Sequence, residues 1–492
     1  LLGKSYGEIA AESRSMHKSQ GFGSAKQRGE YFEYFKPIKG DTAGLKDIFE
    51  GIDFSWKRVK DGEKIGGMIE KIVKDYKVGE PEKSFNSLEK VYTTLKHFSF
   101  NEHVEYKFSQ VENLLNECNG ILIEATTPTP LLAVGEKSRM TYSIVSRARP
   151  ITINSIEPKP GNHVFNLRIL VDSNIIINKN QSVKIERGAS VTYFNIQPFW
   201  LANPINKNLF MPDGNYQLRY YPELPISGIS TVNFKYDNIQ LCKYVIPQYK
   251  WVDPEKGELY RPVVITPPVM INPQSKLVTF TDNKVKELRV SLKAGRDSVN
   301  GLIQIALPKG WYVVLKGSKF NNQLKAPTES AFTFSLAKKG DVEDVVLEIN
   351  PYEGAQDTTI NITALVDGQT YTKGIKEIKY DHIPVQTLFP EAEVKLVKLD
   401  VVKKSKRVGY IPGAGDEVQA CLSQLGYEVT TLTDDKLASE NLSVYDAIIT
   451  GVRAYNTNEK LPSFKQKLMD YVAAGGNLIV QYNTNSWAGP LS

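Results

Sequence analysis

The sequence predicts a multidomain α+β protein with a helical N-terminal part, two β-sandwiches and an incomplete doubly wound α/β domain at the end. Three successive patterns predict it. Apolar residues recur at the helical period up to about residue 125, alternate at period two up to about residue 395, and then follow alternating strand and helix patterns. Because 492 residues suffice for about three or four domains, we predict the domains 1–125, 126–255, 256–395 and 396–492.

The first predicted element is a helix that starts at Ser5. Ser5 and Glu8 have the spacing of a capping box, in which each side chain accepts a backbone N–H of the first turn. The helical period places Met16, His17 and Gln20 on one face, and Gly21 is suited to end the helix. The pattern therefore predicts His17 near the end of the helix.

Three further apolar stripes predict packed helices. Their members are Ile65, Ile69, Ile72, Val73 and Tyr76 in the first, Leu88, Val91, Tyr92 and Leu95 in the second, and Phe108, Val111, Leu115 and Cys118 in the third. Stripes of this kind are usually core faces rather than ligand sites.

The sandwiches are predicted from short alternating strands that follow the TTPTP segment, Thr126–Pro130. The clearest strands alternate at Leu288, Val290 and Leu292, at Ile303, Ile305 and Leu307, at Val345, Leu347 and Ile349, and at Ile360, Ile362, Ala364 and Val366. The proline-rich stretch Trp251–Val269 predicts a domain junction. Exposed aromatics on these strands are candidates for a sugar-binding platform, but Trp200, Trp251 and Trp311 fit a core or junction equally well.

The last domain is predicted from four apolar strands separated by helices. One helix carries Val418, Cys421, Leu422 and Leu425 on its predicted inner face, and the other carries Phe464, Leu468, Tyr471 and Val472. The sheet is expected to be parallel and doubly wound, and to be incomplete where the chain stops.

The glycine-rich turn Gly413–Gly415 precedes a helix, and backbone amides at a helix start can hold phosphate. Only part of the G-x-G-x-x-G pattern is present, and Asp416 and Glu417 would repel a phosphate. Turn geometry alone explains the glycines, so it is favoured over a nucleotide site.

Charge, cysteine spacing and hydropathy argue against several kinds of partner, site and membrane segment. The net charge of +6 comes without a basic block, so no nucleic-acid partner is indicated. Three cysteines lie far apart, which favours neither a zinc knuckle nor a disulfide framework. No apolar run is long enough to predict a transmembrane segment, and no signal peptide is visible.

Three stretches carry a resemblance to a family: SYGEIAAESRSMHKSQGFG, DIFEGIDFSWKRV and YDAIITGVRAYN, in this order around the two sandwiches. The chain resembles the large multidomain bacterial PIG-L (LmbE-like) zinc-dependent N-deacetylases over most of its length. The resemblance implies that the first residues are a remnant of an α/β deacetylase domain. It also implies that the full-length parent is a hydrolase that removes acetyl groups from N-acetylated sugars.

Members of that family hold zinc through an Ala-His-Pro-Asp-Asp-Glu-like motif and a later histidine. This sequence lacks the motif, and its five histidines are scattered singly. We therefore expect zinc in the full-length parent, none bound by this chain, and no deacetylase activity from this chain alone. The resemblance further implies that His17 is the oxyanion donor, and that Ser19 and Gln20 bind substrate or support the site.

The C-terminal domain resembles the class I glutamine amidotransferase fold, whose nucleophilic cysteine follows a strand. At that place this sequence has Tyr482, Asn483 and Thr484, so the nucleophile is missing and no glutaminase activity is expected. Cys421 is predicted to be a core residue. The accessory domain is expected to bind a substrate or partner through Arg453, Tyr455 and Asn456, which lie where a strand ends.

A second hypothesis is that the protein is a non-catalytic envelope or secreted scaffold that binds glycan or protein. Under either hypothesis the expected partners are an N-acetylated sugar, another glycan or a protein. The sandwiches favour a periplasmic, cell-surface or secreted location.

Overall fold

A computed structural model describes residues 3–17, 20–36, 38–39, 47, 49–98, 102–158, 165–167, 174–192, 199–201, 203, 205–211, 230–237, 239–316, 329–404 and 406–484. The chain divides into two compact units, Leu1–Asp75 and Tyr76–Ser492, each of which is described by itself. This division falls inside the predicted domain 1–125. The other predicted domain boundaries stay predictions.

The first unit contains helix α1 (Tyr6–Ser15), and its start is the predicted capping box. The Glu8 N–H donates to Ser5 Oγ at 3.2 Å, and the Ser5 N–H donates to Glu8 Oε2 at 2.9 Å. These two bonds satisfy amides that have no partner within the helix.

Helix α1 ends at Ser15, so the predicted extension to Gln20 is wrong, and His17 follows the helix instead of lying on it. The last turn tightens, since the His17 N–H donates to the carbonyl of Arg14, three residues back. The chain then turns back, and the Ser24 N–H donates to Ser15 Oγ at 3.1 Å. This side-chain contact competes with further helical bonds.

The first unit also contains helix α2 (Glu63–Asp75). Ile65 is fully buried, as the stripe predicts, whereas Val73 is 70% exposed. The apolar stripe is therefore covered at the start of the helix and open to solvent near its end.

The second unit begins with helices α3 (Phe85–Leu95) and α4 (Glu102–Cys118), which pack on each other. The rings of Tyr92 and Phe108 stack with centroids 4.6 Å apart, which confirms the facing stripes. The Phe85 ring meets Tyr236 of the following strands edge-on at 5.2 Å. These helices are thus packed against the first group of strands.

That first group consists of two facing sheets. Its strands are β1 (Ile121–Thr127), β2 (Leu131–Ala133), β3 (Lys137–Ser146), β4 (Ile151–Pro158), β5 (Phe165–Leu167), β6 (Ile175–Ile177), β7 (Ser182–Val191), β8 (Ser230–Tyr236), β9 (Ile239–Val245), β10 (Gln248–Asp253) and β11 (Gly257–Pro262). One sheet has the order β11-β10-β1-β3-β7-β5 and the other β6-β4-β8-β9. The hydroxyl of Tyr142 on β3 lies 2.6 Å from Ser230 Oγ on β8, which links the buried faces of the two sheets. We call this pair of sheets the first sandwich.

A second pair of sheets follows. Its strands are β12 (Val264–Thr266), β13 (Val269–Pro273), β14 (Leu277–Phe280), β15 (Lys286–Ala294), β16 (Val299–Ala306), β17 (Trp311–Leu315), β18 (Glu329–Leu336), β19 (Val342–Pro351), β20 (Thr358–Val366), β21 (Gln369–Tyr371), β22 (Lys376–Tyr380), β23 (Ile383–Leu388) and β24 (Glu393–Lys398). The sheets have the orders β13-β15-β19-β17 and β14-β24-β20-β16-β18; β22 and β23 form a separate hairpin, and β12 pairs with β2. We call the two larger sheets the second sandwich.

The core of the second sandwich confirms the predicted alternation. Leu288, Val290 and Leu292 on β15 are each at most 2% exposed and share one core with Ile362 of the opposite sheet. Trp311 is 2% exposed in the same core, so it does not form a surface platform.

The C-terminal strands and helices are β25 (Arg407–Ile411), α5 (Val418–Gln424), β26 (Glu428–Thr431), α6 (Asp434–Ser439), β27 (Ala447–Thr450), α7 (Ala454–Thr457), α8 (Lys465–Ala473) and β28 (Asn477–Val480). The strands are all parallel in the order β26-β25-β27-β28. Neighbouring residues of one strand enter different cores: Ile449 packs with α5, whereas Ile448 packs with α6 and α8. Helices therefore cover both faces, and the predicted parallel, doubly wound arrangement is present.

Two predicted core residues of this domain are exposed. Cys421 on α5 faces solvent, and Val472 on α8 is 40% exposed, so both predictions are wrong. Helix α5 is only seven residues long, and Val418 and Leu422, four positions apart, contact the core. Cys421 lies on the next face of the helix, roughly 100° from Leu422.

Candidate functional site

The candidate site lies at the carboxyl edge of the C-terminal sheet. From β25 the chain crosses to β26 on one side and then returns to β27 on the other. Open α/β sheets bind ligands where the strand order reverses in this way, beyond the carboxyl ends of the strands. The turns after β25, β27 and β28 meet at this edge.

Asp416 connects these three turns. Its Oδ1 accepts the Tyr410 hydroxyl at 2.5 Å and the Val418 N–H at 3.1 Å. Its Oδ2 accepts the Val452 N–H at 2.9 Å and lies 3.4 Å from Gln481 Nε2. One half-buried carboxylate thus joins the turn after β25, the start of α5, the turn after β27 and the end of β28.

These contacts have opposite effects on the two titratable groups. Burial opposes ionisation of Asp416, but the hydrogen bonds from Tyr410, Val452 and Val418 outweigh it and lower the pKa of the carboxyl. Burial and the neighbouring Asp416 carboxylate raise the pKa of the Tyr410 hydroxyl. At neutral pH the pair is an ionised carboxylate held by a neutral phenol.

The glycine turn leaves little room for a phosphate. A Cβ on Gly413 would lie 2.2 Å from the carbonyl oxygen of Val452, and the Ala414 N–H donates to that same oxygen at 2.8 Å. The amides of Val418 and Val452 already donate to Asp416. The geometry therefore favours the interpretation of these glycines as close-packed turn residues over a nucleotide site.

The structure brings the predicted binding residues together but gives them different surroundings. Arg453 is exposed, has φ 58° and ψ 26°, and makes no ion pair with any residue that the structure describes. Left-handed backbone is costly for a residue other than glycine. The Arg453 N–H donates to the carbonyl of Tyr482 at 2.7 Å, which holds this turn against the one after β28.

Tyr455 is buried and Asn456 is half-buried, and both hold the turn after β27 in place. The Tyr455 side chain is 9% exposed, and burial raises the pKa of its hydroxyl. Asn456 is half-buried, donates to the Thr484 carbonyl at 3.1 Å and accepts the Thr484 N–H at 2.9 Å. Of the three predicted residues, Arg453 presents an exposed functional group.

Sequence reasoning missed the structural role of Asp416, which it considered only as a charge that repels phosphate. Its signal was local: an aspartate side chain can accept the backbone N–H two residues on, and here that residue is Val418, the first of α5. Its bond to Val452 joins residues 36 positions apart and has no such signal.

The predicted catalytic residue lies in the other unit. The His17 side chain is exposed, and its Nδ1 lies 2.8 Å from Gln20 Oε1. The Phe22 ring is tilted against the imidazole with centroids 6.4 Å apart. Ser19 lies outside the described residues.

In the part of the chain that the structure describes, no group of three or more His, Cys, Asp or Glu side chains could hold a metal ion. The residues present there do not fit a zinc site. Among the helices of the same residues, none is long and apolar enough to cross a membrane.

No family model and no curated protein matches the chain. Among solved structures, the secreted serine protease VesC from Vibrio cholerae has 10% identity, covers 53% of this chain and 54% of its own, and gives a TM-score of 0.18. The complex of Dpr2 Ig1-Ig2 with DIP-Theta Ig1-Ig3 has 9% identity, covers 57% of this chain and 66% of its own, and gives 0.15. Red sea bream transglutaminase has 10% identity, covers 60% of this chain and 34% of its own, and gives 0.21. These scores support no argument about function, so the site is interpreted from its own geometry.

Proposed function

We propose that this chain is the C-terminal and accessory part of a zinc-dependent hydrolase that removes acetyl groups from N-acetylated sugars. In this proposal His17 is the oxyanion donor, and the chain alone is inactive. The family's zinc motif is missing from this chain, so in this proposal the zinc ligands belong to the rest of the full-length parent. The observation that supports the proposal is an exposed imidazole with one nitrogen held and the other directed away from that contact.

The hydrogen bond to Gln20 determines what His17 can do. An amide oxygen only accepts, so Nδ1 carries the proton in the bond to Gln20 Oε1. Nε2 then has a proton to donate only when the ring is the imidazolium. Attack on an acetamide carbonyl places negative charge on its oxygen, and a donor aimed at that charge lowers the barrier. Gln20 is accordingly a positioning residue for His17.

The test is turnover of the native full-length protein on an N-acetylglucosamine substrate, with zinc measured in the same samples. We expect His17→Ala to lower kcat by about 10²-fold to 10³-fold, as for other lost oxyanion donors, with zinc content unchanged. Gln20→Ala should cause a smaller loss of kcat, because the imidazole remains but is no longer held in one orientation by the bond to Gln20.

His382→Ala is the matched control, since His382 is also exposed and lies in the turn between β22 and β23. Unchanged turnover in the His17 variant would refute the role of His17. Absence of deacetylation by the wild-type protein would refute the hydrolase proposal itself.

A second candidate function is that of a non-catalytic binding scaffold in the periplasm, at the cell surface or outside the cell, with a glycan or protein partner. The exposed guanidinium of Arg453 on a strained backbone supports it, because such strain often accompanies a functional side chain. Arg453→Gly removes the side chain and suits the left-handed backbone, so it separates binding from folding.

The probe is an N-acetylglucosamine oligosaccharide titrated calorimetrically into the protein. We expect Arg453→Gly to weaken binding by about tenfold or more, consistent with loss of a charged hydrogen bond. Lys460→Ala is the control, because Lys460 is an exposed cation of the same domain. Equal affinity of the Arg453 variant and the wild type would exclude this residue from the binding site.

A further inference from the structure

The contact between the two sandwiches has the features of a fixed connection. Strand β12 leaves the first sandwich toward the second and pairs in parallel with β2, with Val264 opposite Leu131 and Thr266 opposite Ala133. Leu132 and Ile265 in this ladder are at most 1% exposed. The connecting strand is therefore paired along its length and buried from Ile265 on, with Val264 half-buried.

A first side contact is made by Lys339, in the turn between β18 and β19 of the second sandwich. Its Nζ donates to the Leu131 carbonyl at 2.6 Å, to Glu136 at 2.7 Å and lies 3.3 Å from Thr129 Oγ1. An ammonium has three N–H donors, and each has an acceptor within reach in the segment that connects β1 and β3 of the first sandwich. The side chains of Lys339 and Glu136 are 26% and 17% exposed, so solvent screens this pair less than a surface pair.

Glu136 is itself fixed in place. Its Oε2 accepts the Ala133 N–H at 2.8 Å, so the carboxylate that holds Lys339 is attached to the β2 strand of the connecting ladder. The lysine contact and the ladder thus form one network, not two independent contacts.

A second side contact lies on different strands. Arg261 on β11 of the first sandwich is 2.9 Å from Glu377 on β22. Strand β22 belongs to the β22–β23 hairpin, which lies in the chain between β21 and β24 of the second sandwich. The side chains of Arg261 and Glu377 are 13% and 22% exposed. Burial opposes ionisation of Glu377, but hydrogen bonds from Arg261 and Lys379 outweigh it and lower the pKa of the carboxyl. Removing either partner would leave a poorly hydrated charge without its counter-ion.

We infer that this junction is a rigid lock, so that the two sandwiches move as one body, held by the contacts of Lys339 and Arg261 in addition to the β2–β12 ladder. Domains joined by one linker normally move relative to each other. A ladder alone would still allow the two sandwiches to bend and twist about the connecting strand. The contacts of Lys339 and Arg261 join other elements of the two sandwiches and oppose both motions.

The test is the distance distribution between two spin labels on the complete chain, one at Lys184 on β7 and one at Glu343 on β19, both exposed. The native cysteines are replaced beforehand, Cys421 by Ser and the partly buried Cys118 and Cys242 by Ala. We expect a single narrow distribution in the protein with its lock intact. A broad or double distribution there would overturn the inference without any junction variant.

Variants then test whether Lys339 and Arg261 hold the two sandwiches together. We expect the double variant Lys339→Met, Arg261→Met to broaden the distribution about twofold or more, as for domains free to move about a linker. Lys338→Met is the matched control, since Lys338 is the exposed neighbour of Lys339. A folded double variant with the intact protein's width would overturn the role of these residues, and circular dichroism establishes that it is folded.

Discussion

Replacing Asp416 by Asn tests whether one carboxylate holds the carboxyl edge of the C-terminal sheet together. The carboxylate accepts Tyr410 and Val418 on one oxygen, and Val452 and Gln481 on the other. Asparagine keeps the shape but has one acceptor oxygen. We expect that oxygen to keep the Tyr410 and Val418 bonds, so that the amide nitrogen faces Val452 and the Val452 bond is lost. A charged hydrogen bond contributes about 1.5–3 kcal/mol, and the 3.4 Å contact adds little, so we expect a loss of about 1–3 kcal/mol.

Hydrogen exchange measures this loss where it occurs. The Val452 amide donates to Asp416, so its exchange should rise by about 10-fold to 100-fold in Asp416→Asn, if it exchanges by local opening of the turn. Peptides spanning residues 447–457 report it by mass spectrometry. Glu417→Gln is the control, because Glu417 is exposed and carries the same charge one residue away. Unchanged exchange in the Asp416 variant would refute the assignment of Asp416 as the connecting residue.

The sign of the pH dependence follows from the lowered pKa of Asp416. A carboxyl whose pKa is lower in the folded state stabilises the fold above its unfolded pKa, about 3.9, and this contribution is lost as the pH falls through the folded value. The difference in unfolding free energy between wild type and Asp416→Asn should be full at pH 7 and should shrink below about pH 4. Urea titrations at both pH values measure it, and an equal difference at pH 7 and pH 2 would contradict the reasoning.

Two further substitutions test the packing of the second unit. Trp311→Ala should cost about 3–5 kcal/mol in urea unfolding, because it empties a core position and leaves the carbonyl of Gln356 without the indole donor at 2.9 Å; a cost below about 1 kcal/mol would contradict the buried placement. Gly413→Ala should cost about 1–3 kcal/mol, because its Cβ would lie 2.2 Å from the carbonyl oxygen of Val452. Gly188→Ala on β7 is the control for the second change, since no atom lies within 4 Å of its added Cβ.

The strands could be predicted from sequence because burial of one face of a sheet determines the alternation of apolar residues. On β15, Leu288, Val290 and Leu292 alternate with more exposed residues, and one buried face of a sheet requires that alternation. Long helices were predictable for the same reason, as the stacked rings of Tyr92 and Phe108 show.

Short helices were not predictable in detail. In seven residues the helical period does not distinguish Cys421 from Leu422 as the inward residue, and packing against Val408 and Ile449 decides it. At the end of α1 the deciding contact comes from Ser24, nine residues beyond Ser15, which a helical pattern does not include.

The candidate site was likewise predictable from the sequence only in part. The sequence indicated that the residues after β27 lie at the carboxyl end of a strand, and the parallel pairing confirms that position for Arg453. It did not indicate that Tyr455 would be buried, because a tyrosine just after a strand has no local signal for its ring direction.

The packing at the sheet edge restricts the kind of ligand that this domain can take. The Val418 and Val452 amides, which would bind an anion at the reversal of strand order, are occupied by Asp416. In the binding proposal, recognition there would therefore rely on a side chain that extends beyond the turns, and Arg453 is exposed at that position. A guanidinium offers several donors in one plane and no acceptor, so it selects ligands by their oxygen acceptors. A sugar acetamide carbonyl or a protein carboxylate meets that requirement, and Arg453→Gly should weaken binding of the carboxylate more than binding of the neutral carbonyl, because a hydrogen bond between two charged groups is stronger.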